Sequence, residues 1–198
     1  MFGRLLLAAA SLTICLAGCA PPTLVKVAYD KPAQVTSTKV ASIQLFTGVV
    51  EGASGTSLMY AGPNLYVPVS TGSYPKLHFN LQDQKIFAES LKDELNRLHL
   101  LRVTEVTEQR TQAADVEIDI VFVQTTHMPS MQQYYLNVAM QLKSGDQSFA
   151  KRYEVLSSEG DNILEKMSTN ASDGKEKAAK KLMAQLIPDI ETFVGSSK

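Results

Sequence analysis

Three stretches in the second half of the chain alternate apolar and polar residues with a period of two, and little chain separates them. Asp115 to Gln124 sets Val116, Ile118, Ile120 and Phe122 against Glu117 and Asp119. Gln132 to Lys143 sets Leu136, Val138, Met140 and Leu142 against Asn137, Ala139 and Gln141, and Ser148 to Leu156 carries Phe149, Tyr153 and Val155. Successive side chains of a strand point to opposite faces, so each stretch predicts a strand with one buried face. The breaks between them, around His127-Met128-Pro129-Ser130 and Ser144-Gly145-Asp146-Gln147, are short enough to make a three-strand antiparallel meander. Val121 and Val123 suggest that the end of the first strand is covered on both faces.

Two segments follow the helical period instead. Asp83 to Leu100 repeats Phe87, Leu91, Leu95 and Leu98, with Asp83 as the expected cap. The last helix starts near Ser172 and carries Ala179, Leu182, Met183, Leu186, Ile190, Phe193 and Val194 on one stripe, with a kink expected at Pro188. Lys39 to Val50 and Leu101 to Val106 read as further strands, and Ile163 to Met167 as a short amphipathic piece. The expected fold class is α+β: a mainly antiparallel sheet of four to five strands with two amphipathic helices on one face, plus an inserted β-hairpin.

The N-terminus fixes the compartment. Arg4 is followed by an apolar run from Leu5 to Leu16, too short to span a bilayer permanently, as a secretory signal is. Leu16-Ala17-Gly18-Cys19 matches the lipobox of bacterial lipoproteins. That resemblance implies cleavage between Gly18 and Cys19 and acylation of Cys19. Because Ala20 rather than Asp follows the cysteine, it also implies an outer-membrane anchor on the periplasmic face. The expected layout is a signal at 1–18, lipidated Cys19 and a Pro-containing tether to 38, and one periplasmic domain at 39–198 with an insertion at 47–75.

Cleavage removes Arg4 and Cys15, so the formal charge moves from −1 to −2 and the acylated chain keeps no free thiol. A near-neutral chain lacks the basic field of a nucleic-acid binder. Without thiolates, cysteine catalysis, thiolate metal sites and disulfides are excluded together.

The insertion is the compositional outlier. Thr47 to Pro75 holds five of the eleven Gly, three of the eight Pro, three of the seven Tyr and one charge, Glu51. Ser57 to Tyr60 and Leu65 to Val69 flank Ala61-Gly62-Pro63-Asn64 and predict a hairpin, with Pro68 on an edge strand. Uncharged, Tyr-bearing segments resemble interface cores, which makes Tyr60, Tyr66 and Tyr74 a candidate partner surface.

Reactive groups are sparse. His78, His99 and His127 lie in separate elements without ligand spacing, and Gly52-Ala53-Ser54-Gly55 lacks the form of a nucleophile elbow. Glu117 and Asp119 project from one face of a strand, as paired carboxylates can, but alternation accounts for them as its solvent side. Lys175, Lys177, Lys180 and Lys181 read as the solvated side of the last helix. No catalytic, metal or cofactor site is expected.

The lipobox, the tether, Phe87-Ala88-Glu89-Ser90-Leu91-Lys92-Asp93-Glu94-Leu95, Ala114-Asp115-Val116-Glu117-Ile118-Asp119-Ile120, Tyr134-Tyr135-Leu136-Asn137-Val138 and the closing helix together resemble the YajG-type bacterial outer-membrane lipoproteins. The element order is also similar to that of the lipopolysaccharide-assembly lipoprotein LptE and of small lipoproteins in secretion-system outer-membrane rings. The lipobox and the uncharged insertion point to a non-enzymatic envelope component that binds a protein partner through the hairpin insertion and exposed sheet edges. The alternative is a carrier of lipid or another apolar ligand, which requires a cavity lined by Phe87, Leu91, Phe122 and Leu186.

Overall fold

The structure, a computed structural model, describes residues 23–46, 56–62, 65–70, 79–110, 113–128, 133–158 and 171–196. The signal and lipobox, Tyr74, His78, the Pro63-Asn64 turn and the 163–167 piece lie outside them.

The chain runs β1 (Val40–Phe46), β2 (Thr56–Gly62), β3 (Leu65–Ser70), α1 (Leu81–Arg97), β4 (Arg102–Thr107), β5 (Val116–Met128), β6 (Gln133–Ser144), β7 (Gln147–Leu156) and α2 (Ala171–Ser196). Five strands form one sheet in the order β4-β1-β5-β6-β7, and β2 and β3 form a separate antiparallel pair. Among the described residues the fold class is therefore α+β with two helices, as expected. The sheet is mixed: β1 pairs in parallel with both β4 and β5, and only β5, β6 and β7 form the antiparallel meander. Alternation reports which face a residue occupies and not which way the neighbouring strand runs, so the sequence pattern is silent on this point.

The parallel pairings follow from two returns of the chain. Helix α1 carries the chain from the end of β1 back to the start of β4, the usual solution for parallel neighbours. From the end of β4 the chain must then come back to the start of β5, on the other side of β1. Arg110, between the two strands, lies over the sheet face opposite the helices.

Helix α1 is capped by Asn80 rather than Asp83. The Asn80 side chain accepts from the Asp83 backbone N–H at 3.0 Å, and the Asp83 carboxylate accepts from the Asn80 N–H at 2.9 Å, a reciprocal capping box. At the other end His99, at φ 53°, and Leu100 return N–H groups to Asn96 and Leu95, a Schellman closure in which histidine occupies the position glycine usually takes. Helix α2 passes through Pro188 and continues to Ser196.

The core lies between the helices and one sheet face. Ala41, Ile43 and Leu45 from β1, the even-numbered apolar residues of β5 from Val116 to Phe122, and Leu136, Val138, Met140 and Leu142 from β6 meet the stripes of α1 and α2. Phe79 stacks on Phe122 at 5.4 Å and Phe87 meets the same ring edge-on at 5.9 Å, contacts worth about 0.5–1.5 kcal/mol each beyond their burial. A bulge at Val123 shifts the phase of β5, so that Thr125 and His127 continue the helix-side face in place of even-numbered residues.

Residues 23–38 have no regular secondary structure, yet from Leu24 onward the segment is strapped to the helices. Leu24 and Val27 are buried, and their N–H groups donate to the Asp83 carboxylate at 2.8 Å and the Ser90 hydroxyl at 3.1 Å. Lys26 pairs with Asp93, Arg97 donates to the Tyr29 carbonyl at 2.6 Å, and the N–H groups of Gln34 and Val35 donate to Glu191. The expected tether up to residue 38 is thus replaced, over these residues, by a strap against α1 and α2.

Candidate functional site

Two arrangements of polar groups stand out, one on each side of the sheet. On the face away from the helices, register aligns Gln44, Asp119, Gln141 and Ala150 in one row and Phe46, Val121, Ala139 and Arg152 in the next. Ala139 and Ala150 are small, so the rows form a trough of about 550 Å³ rather than a flat surface. Phe46 is 40% exposed at one side of it. The β2–β3 pair lies nearby, with β2 against β5.

Arg110 closes one end of this trough. Its Nε donates to the Ser42 hydroxyl at 2.8 Å, and its two terminal nitrogens reach Glu117 at 3.2 Å and Asp119 at 2.7 Å. Lys143 stands 4.0 Å from the second Asp119 oxygen. The guanidinium fork thereby spans β1 and β5 and ties down the return loop that carries it. Glu117 and Asp119, expected to face solvent, are roofed by this arginine. Both are engaged by a permanent cation, which suits holding a loop.

The second arrangement is sealed between the helices and the ends of β5 and β6. Lys175 and Asp83 are both fully buried and paired at 2.7 Å. Asp83 also accepts from the N–H groups of Leu24 and Asn80, so one carboxylate joins the strap, the start of α1 and the first turn of α2. Lys175 stands 5.9 Å from the centre of the Tyr134 ring, and the His127 ring lies 4.7 Å from that of Tyr134. Burial, and then the negative charge of Asp83, pushes the Tyr134 phenol far above its ordinary range. Among the described residues the Tyr134 hydroxyl has no hydrogen-bond partner. Lys175 is a correction to the reading of the basic cluster as solvated; Lys180, paired with Glu176, is exposed as expected.

Comparison with known proteins adds little beyond likeness of shape. No family model matches the chain, and no curated protein matches it. Among solved structures, protein XCC0632 from Xanthomonas campestris, described under the family model DUF330, is similar at a TM-score of 0.49 and 10% identity over 89% of this chain and 98% of that one. The hypothetical protein CT253 from Chlamydia trachomatis is similar at 0.45 and 9% identity, over 80% and 99%. An uncharacterized protein gives 0.44 and 10%, over 84% and 99%. None of these likenesses carries a function.

Of the residues singled out in sequence, Cys19, Gly18 and Tyr74 lie outside the described set. The register of the β2–β3 pair sets Tyr60 directly opposite Tyr66, so the two occupy one position of the ladder. Phe87, Leu91, Phe122 and Leu186, required to line a ligand cavity, are all fully buried, and Phe87 and Phe122 are in ring contact. His127 is buried beside Tyr134 and His99 sits in the turn after α1. Among the described residues no three His, Cys, Asp or Glu side chains group as a metal site requires, and no helix is long and apolar enough to cross a membrane.

Arg110 and the Asp83–Lys175 pair escaped the sequence reading. Arg110 left no local signal, because its partners lie on strands that only the fold brings beneath it. The buried pair did leave one. Asp83 precedes Phe87 by four residues, and Lys175 precedes Ala179 by four and Leu182 by seven, so each charge extends the apolar stripe of its helix.

Proposed function

We propose that this chain is a lipid-anchored component of the bacterial cell envelope that acts by binding and not by catalysis. Cys19 takes the lipid after cleavage behind Gly18, the anchor sits in the outer membrane, and the folded body faces the periplasm. An envelope protein docks on the open trough between Phe46, Val121, Ala139 and Ala150. The observation that carries this reading is the run Leu16-Ala17-Gly18-Cys19 at the end of an apolar segment headed by Arg4. Two acyl chains suffice for stable anchoring, since each buried methylene contributes about 0.8 kcal/mol. The trough supports the binding half: its floor is small and apolar, its rim is polar, and its carboxylates are already engaged by Arg110.

Metabolic labelling with an alkynyl palmitate, followed by membrane fractionation, tests the anchor. The wild-type chain is expected to carry label and to sediment with outer membranes, and Cys19→Ser to lose both. Absence of label on the wild type would end the proposal. A photo-crosslinking residue at Ala139 is then expected to capture an envelope protein, whereas one at Asp173, on the exposed side of α2, is not; equal capture at both sites would remove the trough from the reading.

A further inference from the structure

The strap makes the leash between Cys19 and the folded body very short. Leu24, whose N–H is held by Asp83 in the first turn of α1, is the fifth residue after Cys19. Fully extended, that span reaches at most about 18 Å. The first turn of α1 lies toward one end of the molecule. Phe79, just before the helix, stacks on Phe122 at the middle of β5, and Lys175, which pairs with Asp83, faces Tyr134 at the start of β6. The opposite end carries the β6–β7 turn at Gly145 and Asp146, paired through Lys143 with the start of β5 at Glu117. Along β5, Phe122 lies five residues from Glu117 and His127, the ladder partner of Tyr134, lies ten, so the first turn of α1 stands roughly 17–33 Å from that turn. A lipid on Cys19 therefore brings the first end, and not the second, down to the bilayer.

The insertion leaves and re-enters the fold beside the first turn of α1, the turn that holds Leu24. It departs after Phe46, whose ladder partner is Val121, and rejoins at Phe79. Its β2–β3 ladder sets Leu58 opposite Pro68 and Tyr60 opposite Tyr66, while Met59 opposite Val67 and Ser57 opposite Val69 take the alternate positions. Alternate positions belong to opposite faces of a ribbon, so both faces are largely apolar or aromatic in composition, and only one can turn toward β5. A two-stranded ribbon is marginal alone in water. With no charge from Gly52 to Pro75, it has no ionic group to desolvate, and tyrosine suits the headgroup level of a bilayer, apolar at one end and wet at the other.

We infer that the β2–β3 ribbon is a membrane-contact element, which rests in the headgroup layer of the bilayer that holds the lipid on Cys19. The inference depends on the anchoring proposed above and assigns the ribbon a partner distinct from that of the trough: lipid, not protein. Anchor and ribbon then act as two points of contact and fix the orientation of the domain, with the β6–β7 turn pointing away into the periplasm.

Single cysteines test this cleanly, because the acylated chain keeps no other thiol. Met59→Cys, Tyr60→Cys and Asp146→Cys proteins, spin-labelled and reconstituted as full lipidated chains in phosphatidylethanolamine–phosphatidylglycerol vesicles, are compared for collision with oxygen and with a water-soluble nickel chelate. Met59 and Tyr60 sample the two faces of the ribbon. Labels on at least one face are expected to favour oxygen severalfold over the label at Asp146, and to lose that preference when the acyl chains are absent in a Cys19→Ser background that carries the label at the same site through an unnatural amino acid. Circular dichroism confirms that each labelled chain is folded. An acylated chain whose ribbon labels are as open to nickel as Asp146 overturns the inference alone and returns the ribbon to a protein partner. A Cys19 that mass spectrometry finds unmodified in the wild-type chain overturns this inference and the proposed function together.

Discussion

The two charged clusters use similar groups and differ in what surrounds them. Asp83 and Lys175 are sealed from water, with every strong polar demand of the carboxylate met by Leu24, Asn80 and Lys175. Arg110, Glu117 and Asp119 sit on the open face, with side chains 16%, 31% and 12% exposed. A sealed pair recovers little net stability from its attraction, because desolvation offsets it, but it punishes the loss of one partner severely. A half-open cluster can let water replace a lost partner. The first arrangement specifies how strap and helices meet, and the second holds a return loop while leaving a surface for recognition.

Breaking the sealed pair is the largest test of that contrast. Lys175→Met leaves Asp83 as a buried, uncompensated charge and is expected to cost about 3–5 kcal/mol in urea unfolding. The strap should loosen with it, read as faster amide exchange at Leu24 and Val27. A loss no greater than that of an ordinary surface substitution would show that the pair is not sealed.

Arg110→Met should cost less, about 1–3 kcal/mol, because Asp119 and Glu117 regain water when the guanidinium leaves. The deficit should shrink in high salt, which screens the repulsion between the two carboxylates, whereas the deficit of Lys175→Met should hardly change. Equal salt sensitivity in the two variants would erase the distinction drawn between the clusters.

How far these features could be read in the sequence follows the same division. Period-two alternation placed the meander and period-3.6 stripes placed both helices, because one buried face leaves a mark on every second or every third and fourth residue. The direction of β1 against its neighbours left none. Pairing by β1 with β4 and β5 depends on where the chain goes between strands, and the residues that record it, Arg110 and Ser42, are 68 positions apart. The strap was missed for a related reason: Leu24 and Val27 show no period of their own and are held by side chains of α1, Asp83 and Ser90. The sealed pair lies between these cases. Its two charges fall on apolar stripes, a local conflict that only a partner of opposite charge resolves, and the residue pattern alone displays that conflict.

Adjacent tyrosines offer the finest comparison, since Tyr134 belongs to the sealed side and Tyr135 to the open one. Burial raises both phenols. Tyr134 is raised further by Asp83; at Tyr135 Glu154 adds to the rise, while a hydrogen bond with Asn137 and the charge of Arg152 counter it. A folded-state pKa above the unfolded value of 10.0 means that the folded chain holds the phenol proton more tightly. The contribution is fully present below pH 10 and is lost as the pH climbs past it, at up to about 1.4 kcal/mol per pH unit for a phenol that stays neutral until unfolding. Tyr134→Phe is therefore expected to change stability by less than about 1 kcal/mol at pH 7, because the hydroxyl has no partner among the described residues to lose. Above pH 10 the same variant should unfold at higher urea than wild type, while Tyr135→Phe shifts the alkaline limb less. Absorbance of ionised tyrosine at each pH, followed through the unfolding transition, separates the two. If the phenolate at position 134 forms while the chain is still folded, the sealed side is open to water and its contrast with the trough fails.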